Sequence, residues 1–271
     1  MTTIGVIGTG DFSAYLIAAL RRGGHTGRIL LSPHNLKKAR DLSTRYDCPV
    51  AVDDVSLTEQ ADWVLLAVRP EQLAFALSTL TLRPNQTLIS AVAGITTAEL
   101  RAAKGDSIRV VRIMPSSYIE AIDDGLIPMF PACPDVEAVL AAAGKVLVLG
   151  TEDQLDLAMI GACLAGWTYR FIAKLENWFA ERGLRPDQAR VMAAGNIAGA
   201  AAYAALRQDV SLAAISDAIA TPGTFTKTGL DYLARTNAAA PWLEALETVH
   251  RDLPASRARQ SDMRKRSKEK R

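Results

Sequence analysis

The N-terminal stretch Thr3–Asn35 constrains the fold more than any other part of the chain. The apolar, β-branched run Ile4–Ile7 leads directly into the glycine turn Gly8-Thr9-Gly10, and Ala14–Arg22 then has the pattern of a helix. A strand that enters a helix through such a turn presents free backbone N–H groups and the positive end of the helix dipole to an anion. The stretch therefore predicts a site for the pyrophosphate of a dinucleotide, in which Gly8 permits the tight turn and Gly10 the close approach of phosphate.

The end of the second predicted strand, Arg28–Leu31, indicates which dinucleotide is bound. Enzymes that use NAD commonly carry Asp or Glu there for the ribose 2′-hydroxyl, whereas this chain has no carboxylate at that point and continues into Lys37 and Lys38. We therefore predict NADP(H) in preference to NAD(H). The other interpretation is that the two lysines are the solvated first turn of the next helix. The predicted contacts at this end of the site are Ser32, His34 and Asn35.

Strand and helix patterns alternate over residues 1–150, which predicts a doubly wound parallel sheet of the Rossmann type. The continuous apolar run Trp63–Val68 suits a central strand. Ligands of such sheets bind outside the carboxyl ends of the strands, so Val68, Arg69 and Pro70 are expected at the cofactor site. We also expect short strands at Pro49–Val52, Leu126–Pro128 and Lys145–Leu149.

From Thr151 the strand patterns disappear, and residues 151–254 are predicted to form an all-α domain. Small residues such as Gly195, Ala198 and Gly199 permit close packing between helices, so we expect this domain to dimerise. The predicted helices are Gln154–Arg182, Pro186–Arg207, Ser211–Ala220 and Thr228–Leu253.

Composition argues against several classes of protein. Three cysteines and three histidines, all widely spaced, favour neither disulfides nor a metal site, and the absence of a leader pattern before the first strand leads us to expect a cytoplasmic protein. The longest apolar stretches fall short of the roughly 20 residues that span a bilayer, so no membrane contact is expected. The basic segment 255–271 is expected to be a disordered tail with no role in nucleic-acid binding.

A threonine-rich break, Thr221–Leu230, interrupts the helical half of the chain. One interpretation is a helix N-terminus that is capped by Thr224 or Thr226. The other is that hydroxyls and N–H groups here bind a substrate carboxylate or donate a hydrogen bond to the atom being protonated.

With this segment, the chain resembles the pyrroline-5-carboxylate reductase family along nearly its whole length. The likeness rests on the N-terminal glycine turn and on three further motifs in the same order and spacing. They are Ala67-Val68-Arg69-Pro70 where the family has A-V-K-P, Arg112-Ile113-Met114-Pro115-Ser116 where it has R-x-M-P-N, and Thr221-Pro222-Gly223-Thr224-Phe225-Thr226 where it has S-P-G-G-x-T.

The resemblance implies a reductase that transfers hydride from NADPH or NADH to the C=N carbon of a cyclic imino acid and so forms proline. It further implies a homodimer or a ring of dimers. Thr226 corresponds to the threonine beside the imine nitrogen, and Ser116, Thr224, Phe225 and Lys227 occupy positions around the substrate. The implied cofactor contacts are Gly8, Thr9, Gly10, Asp11 and Phe12 at the phosphates, with Val68, Arg69, Pro70, Ala93 and Gly94 around the ribose and nicotinamide.

Several departures from the family pattern concern the substrate. Ala162–Trp167 replaces the family's S-G-S-G-P, Thr224 replaces a glycine, Ser116 replaces an asparagine, and Asp11 replaces the asparagine of the glycine turn. We therefore expect a differently shaped pocket and a related imino or keto acid as an equal candidate to pyrroline-5-carboxylate. Further candidate polar groups are Tyr118 and Tyr169.

Two alternatives to imine reduction are open. Lys174 and Asn177 have the local spacing of the acid/base pair of β-hydroxyacid dehydrogenases, although they also suit the exposed face of an amphipathic helix. A non-catalytic NADP-binding paralogue is the second alternative, and the loss of S-G-S-G-P motivates it.

Overall fold

The computed structural model describes residues 2–253, which contain one seven-stranded sheet followed by helices. The strand order is β2-β1-β3-β4-β5-β6-β7. All neighbouring pairs are parallel except β5 and β6, which are antiparallel. The strands are β1 Ile4–Ile7, β2 Ile29–Leu31, β3 Trp63–Leu66, β4 Thr87–Ser90, β5 Arg109–Ile113, β6 Leu126–Phe130 and β7 Lys145–Val148.

Helices pack on both faces of the sheet, which confirms the doubly wound fold. One apolar layer joins the sheet to α1, α2 and α6, and the other joins it to α3, α4 and α5. Both layers arise from strands that are apolar on both sides, as central parallel strands require. The helices are α1 Asp11–Arg22, α2 Leu36–Tyr46, α3 Asp54–Gln60, α4 Leu73–Thr79, α5 Thr97–Lys104 and α6 Pro134–Leu140.

Two details of the sheet differ from expectation. The strand expected at Pro49–Val52 is wrong: Val50 forms a single bridge to Leu31, and although Val50 and Ala51 pack against the apolar layers, Val52 is 89% exposed and the pairing goes no further. The strand β3 also ends at Leu66, two residues before the end of the apolar run Trp63–Val68, although the N–H of Ala67 still donates to the carbonyl oxygen of Ile7.

A second compact unit, Cys163–Val249, is helical in every regular element that the structure describes. The helix expected over Thr228–Leu253 is wrong in both its start and its continuity. It begins at Phe225, because the hydroxyl of Thr224 accepts a hydrogen bond from the N–H of Lys227, and it breaks at Asn237, whose φ is 48°. The elements are α7 Glu152–Ala180, which begins in the first unit, α8 Pro186–Leu206, α9 Leu212–Ile219, α10 Phe225–Arg235 and a helix α11 over 240–253.

Three further expectations concerned the cysteines, membrane-spanning helices and the basic C-terminal segment. Cys48, Cys133 and Cys163 are all free thiols. Among residues 2–253, no helix combines the length and the apolarity that crossing a bilayer would need. The basic segment 255–271 lies outside the described residues.

A buried arginine joins the sheet to the start of α7. Arg112 is 1% exposed, and its Nη1 lies 2.8 Å from Oε1 of Glu152, while its Nη2 lies 3.7 Å from Oδ1 of Asp156. Glu152 also accepts hydrogen bonds from the backbone N–H and the hydroxyl of Thr97, at 2.8 and 3.2 Å. The cluster therefore ties the carboxyl end of β5 and the start of α5 to α7.

We expect Arg112→Leu to lower the free energy of unfolding by about 3–5 kcal/mol, because the buried carboxylate of Asp156 and the partly buried carboxylate of Glu152 would lose their counter-charge. Arg109→Leu is the matched control on the same strand. Arg109 is exposed and lies 3.5 Å from the exposed carboxylate of Asp135, so its loss should cost less than about 1 kcal/mol. Urea titrations of both variants measure the difference, and equal losses would contradict this role of Arg112.

Candidate active site

A cleft of about 980 Å³ opens at the carboxyl ends of β1 and β3. The chain runs from β1 to β2 on one side of the sheet and then to β3 on the other, so this is the point where the strand order reverses. Open α/β sheets bind their ligands at such a point. Nine of the thirteen predicted cofactor contacts line the cleft: Gly8, Thr9, Gly10, Asp11, Phe12, His34, Asn35, Val68 and Arg69.

The glycine turn holds its shape through a close approach of two strands. Gly8 has a φ of 98°, and a Cβ atom on it would lie 2.7 Å from the carbonyl oxygen of Ala67. The hydroxyl of Ser13, which is fully buried, donates a hydrogen bond to the carbonyl oxygen of Gly8. The dinucleotide-binding pattern G-x-G-x-x-G has a third glycine three residues after the second, and Ser13 stands at that position here and adds a bond within the turn.

The turn fits a dinucleotide phosphate. A Cβ atom on Gly10, the residue before α1, would meet no atom within 4 Å, so the backbone there is open to a ligand. Thr9 is 3% exposed, and within residues 2–253 its hydroxyl has no hydrogen-bond partner. The N-terminal N–H groups of the twelve-residue helix α1 follow directly. These groups would hold the pyrophosphate of a bound cofactor.

A carboxylate nevertheless stands at this phosphate site. Asp11 is the first residue of α1, and its Oδ1 lies 2.5 Å from Nζ of Lys38, which lies in the first turn of α2. The hydrogen bond and the charge of Lys38 hold the pKa of the Asp11 carboxyl below its usual value, and the charge of Arg69 lowers that pKa further. Asp11 is therefore an anion that shares its cleft with two cations.

The far end of the cleft contains a pair that sequence reasoning missed. The Nε2 atom of His34 lies 2.7 Å from Oδ2 of Asp54, and the ring of His34 meets the edge of the Phe75 ring at 6.2 Å. The adjacent Asp53 caps α3 by accepting a hydrogen bond from the N–H of Ser56, so the neighbouring carboxylate of Asp54 is available for His34. The sequence signal for this pair was the presence of two consecutive aspartates, Asp53 and Asp54, at a helix start that needs only one as a cap.

Four predicted contacts do not line this cleft. Ser32 is buried beneath it, and its hydroxyl has no hydrogen-bond partner in the described part of the chain. Pro70 begins a 3₁₀ turn after Arg69. Ala93 and Gly94 lie in the turn after β4, where Gly94 has a φ of 73°.

The predicted substrate residues fall in both units. Thr224, Phe225, Thr226 and Lys227 meet at the start of α10, where Thr224 is the cap and Thr226 lies exposed in the first turn. Of the two capping residues considered, Thr224 is therefore the one used. Phe225 is 97% exposed, and the ammonium group of Lys227 is bonded to the carboxylate of Asp231.

The other candidate groups are scattered. Ser116 lies in the first unit, half-buried before a 3₁₀ turn, and Tyr118 lies within that turn. Lys174 and Asn177 are exposed on α7 in the second unit, and Tyr169 is exposed on the same helix.

We expect substitutions of the two glycines of the turn to have different effects, one mainly on stability and the other mainly on cofactor binding. Gly8→Ala should lower the free energy of unfolding by at least roughly 1–3 kcal/mol, because a side chain at positive φ also meets the Ala67 carbonyl. Gly10→Ala has open space and a φ of −94°, so it should cost less than about 1 kcal/mol but weaken dinucleotide binding roughly tenfold or more. Denaturant titration and cofactor fluorescence measure the two effects. A Gly10→Ala protein that binds NADPH normally would contradict the phosphate site.

Comparison with family models matches both halves of the chain. The model described as NADP oxidoreductase coenzyme F420-dependent matches residues 3–94, and the model described as pyrroline-5-carboxylate reductase dimerisation matches residues 152–253.

Individual proteins give the same relationship over greater lengths. The chain is 25% identical over 261 residues to a pyrroline-5-carboxylate reductase of Methanosarcina acetivorans, with 90% of this chain and 93% of that protein covered. It is 29% identical over 178 residues to that of Pseudomonas aeruginosa, with 62% and 65% covered.

Solved structures share the fold. The 1-pyrroline-5-carboxylate reductase of Streptococcus pyogenes aligns with a TM-score of 0.82 at 21% identity, covering 94% of this chain and 98% of that one. The pyrroline carboxylate reductase of Plasmodium falciparum, solved with NADP bound, aligns with a TM-score of 0.76 at 17% identity, covering 97% and 98%. The C-terminal part of the chain therefore matches the pyrroline-5-carboxylate reductase dimerisation family, and the relatives along its length support a member of the pyrroline-5-carboxylate reductase family that is an NAD(P)H-dependent reductase.

Proposed function

We propose that the protein uses NADPH to reduce the C=N bond of a cyclic imino acid, with pyrroline-5-carboxylate, and hence proline formation, as the first candidate. The observation that carries this proposal is that two threonines at the start of α10 have different roles. Thr224 satisfies the helix N-terminus, so the exposed hydroxyl of Thr226 in the first turn is not needed as a cap. The family likeness assigns that hydroxyl to the imine nitrogen.

A bound nicotinamide supplies the hydride for this reaction. The substrate's imine carbon gains the hydride and its nitrogen gains a proton, so the C=N double bond becomes a single bond and the product is a secondary amine. Thr226 orients the nitrogen by a hydrogen bond, and a donor held at the reacting atom contributes to the rate because it is already in position.

The preference for NADPH over NADH is supported by the groups that follow β2. The amide oxygen of Asn35 accepts a hydrogen bond from the N–H of Lys38, which keeps both residues at the cleft, and no residue from 32 to 38 is acidic. The carboxylate of Asp54, which does reach this end of the cleft, is bonded to His34. A 2′-phosphate therefore meets polar and cationic groups here.

The departures from the family pattern favour a substrate that is not restricted to pyrroline-5-carboxylate. The start of α10 carries the fully exposed ring of Phe225 and the ammonium of Lys227, which its neighbour Asp231 partly neutralises. The segment 162–167 lacks the serines and glycines of the family motif. A related imino or keto acid with a different ring or side chain suits these groups equally well.

The helical unit supports a homodimer, with a ring of dimers as its extension. Gly195, Ala198, Gly199 and Ala202 recur at helical spacing on α8, and all four are exposed in the single chain. Such a face lets another helix approach closely. The three free thiols suit a reducing compartment, and we propose the cytoplasm.

We expect Thr226→Ala to lower kcat/KM by about 100-fold on the best substrate, because the donor at the imine nitrogen is lost. Thr228→Ala is the matched control, since the hydroxyl of Thr228 donates to the carbonyl oxygen of Thr224 and Thr228 is not among the proposed substrate contacts. The measurement is NADPH and NADH oxidation against a panel of cyclic imino acids, keto acids and 3-hydroxy acids.

Other outcomes of this panel decide against the proposal. Full activity of Thr226→Ala would remove Thr226 from the site. Loss of activity in Lys174→Ala would favour the β-hydroxyacid dehydrogenase reaction, whereas imine reduction leaves that variant nearly intact. Cofactor binding without turnover of any member of the panel would favour a non-catalytic protein.

We expect light scattering to give a mass of at least twice the 29.1 kDa chain, and Gly199→Glu to reduce it. A Cβ atom on Gly199 meets no atom within 4 Å, and glutamate is a better helix former than glycine, so the variant should fold normally as a single chain. Val52→Glu, at an exposed position of the first unit, is the control and should keep the full mass. A monomeric wild-type protein would contradict the dimer.

A further inference from the structure

The Asp11–Lys38 ion pair stands where the two charged parts of a dinucleotide would lie. Asp11 begins α1 beside the phosphate turn, and Lys38 lies in the first turn of α2. A short 3₁₀ turn connects α2 to the strand whose end faces the ribose 2′ position. Both residues line the cleft. The carboxylate therefore meets an incoming pyrophosphate, while the ammonium group is drawn away from an incoming 2′-phosphate.

The two side chains are free enough to exchange partners. Asp11 is 69% and Lys38 44% exposed, and the backbone N–H of Lys38 donates to the side chain of Asn35, so the start of α2 is held independently of the ammonium group. Within the described residues, Asp11 is the ion-pair partner of Lys38. Arg69 lies near enough to Asp11 to act on it electrostatically but makes no ion pair in residues 2–253.

We propose that Asp11 sets the discrimination between NADPH and NADH by holding Lys38 away from the cofactor's 2′-phosphate. In this protein the ion pair makes the preference for NADPH smaller than it would be if Lys38 were not bonded to Asp11. The inference rests on the use of NADP(H) proposed above, and it adds a specificity-determining role for the first residue of α1, which follows the phosphate turn.

The carboxylate of Asp11 has two effects on cofactor binding. Its charge repels the pyrophosphate, which NADPH and NADH share, so removing the charge should tighten the binding of both. Its ion pair with Lys38 keeps the ammonium group from the 2′-phosphate, which only NADPH carries. A change in the ratio of the two dissociation constants therefore reports on Lys38, and a parallel change in both constants reports on the charge alone.

The experiment is a double-mutant cycle on the full-length protein, in which nicotinamide fluorescence gives dissociation constants for NADPH and NADH without any substrate. Asp11→Asn should raise the preference for NADPH about fivefold, the upper range for an exposed ion pair. Lys38→Met should change the preference less than twofold in the wild-type background but abolish the gain in the Asp11→Asn background. Low ionic strength keeps the exposed charges from being screened.

Arg40→Met is the matched control, since Arg40 is an exposed cation of the same helix that does not line the cleft. It should leave the preference unchanged in both backgrounds. The inference is overturned if Asp11→Asn leaves the preference at the wild-type value, or if Lys38→Met lowers it equally in both backgrounds. A wild-type protein that binds neither cofactor would overturn the proposed function as well, whereas binding of both with no response to Asp11→Asn overturns this inference alone.

Discussion

The close approach of Gly8 to the backbone of Ala67 is the constraint on which the rest of the first unit depends. The two residues follow the adjacent strands β1 and β3, and no Cβ atom fits between them. Because the strands stay this close, their carboxyl ends form one floor for the cleft, and the chain must leave β1 through a left-handed turn that only glycine adopts readily. The cofactor cleft is thus a consequence of how two central strands pack.

Local sequence predicted the parts of the structure that local interactions determine. The strand, glycine turn and first helix follow from residues adjacent in the chain, and so does the cap of α5, in which Thr96 and Glu99 bond each other's backbone N–H groups. The expectation of a strand at Pro49–Val52 failed because β propensity cannot show how far pairing with a neighbour extends, and here it is limited to one bridge with Leu31. Contacts between distant residues, such as His34 with Asp54 and Asp11 with Lys38, depend on helices brought together by the sheet and carry no local pattern.

The candidate substrate residues show a different limit. The sequence shows the threonine cluster, but which hydroxyl caps the helix depends on where α10 begins, and in the structure Thr224 does so. The position where the resemblance implies a glycine thus carries a side chain that secures the start of its own helix. Such a role becomes visible only once the start of the helix is known.

The hydrogen bond from Ser13 to the carbonyl oxygen of Gly8 lowers the entropy cost of cofactor binding. A turn that is fixed by its own side chain has its backbone ordered before any ligand arrives, so the conformational entropy of ordering it is lost during folding rather than during association. Pre-ordering of this kind raises affinity for every dinucleotide alike. Discrimination between dinucleotides must then come from the flexible charged side chains at the rim.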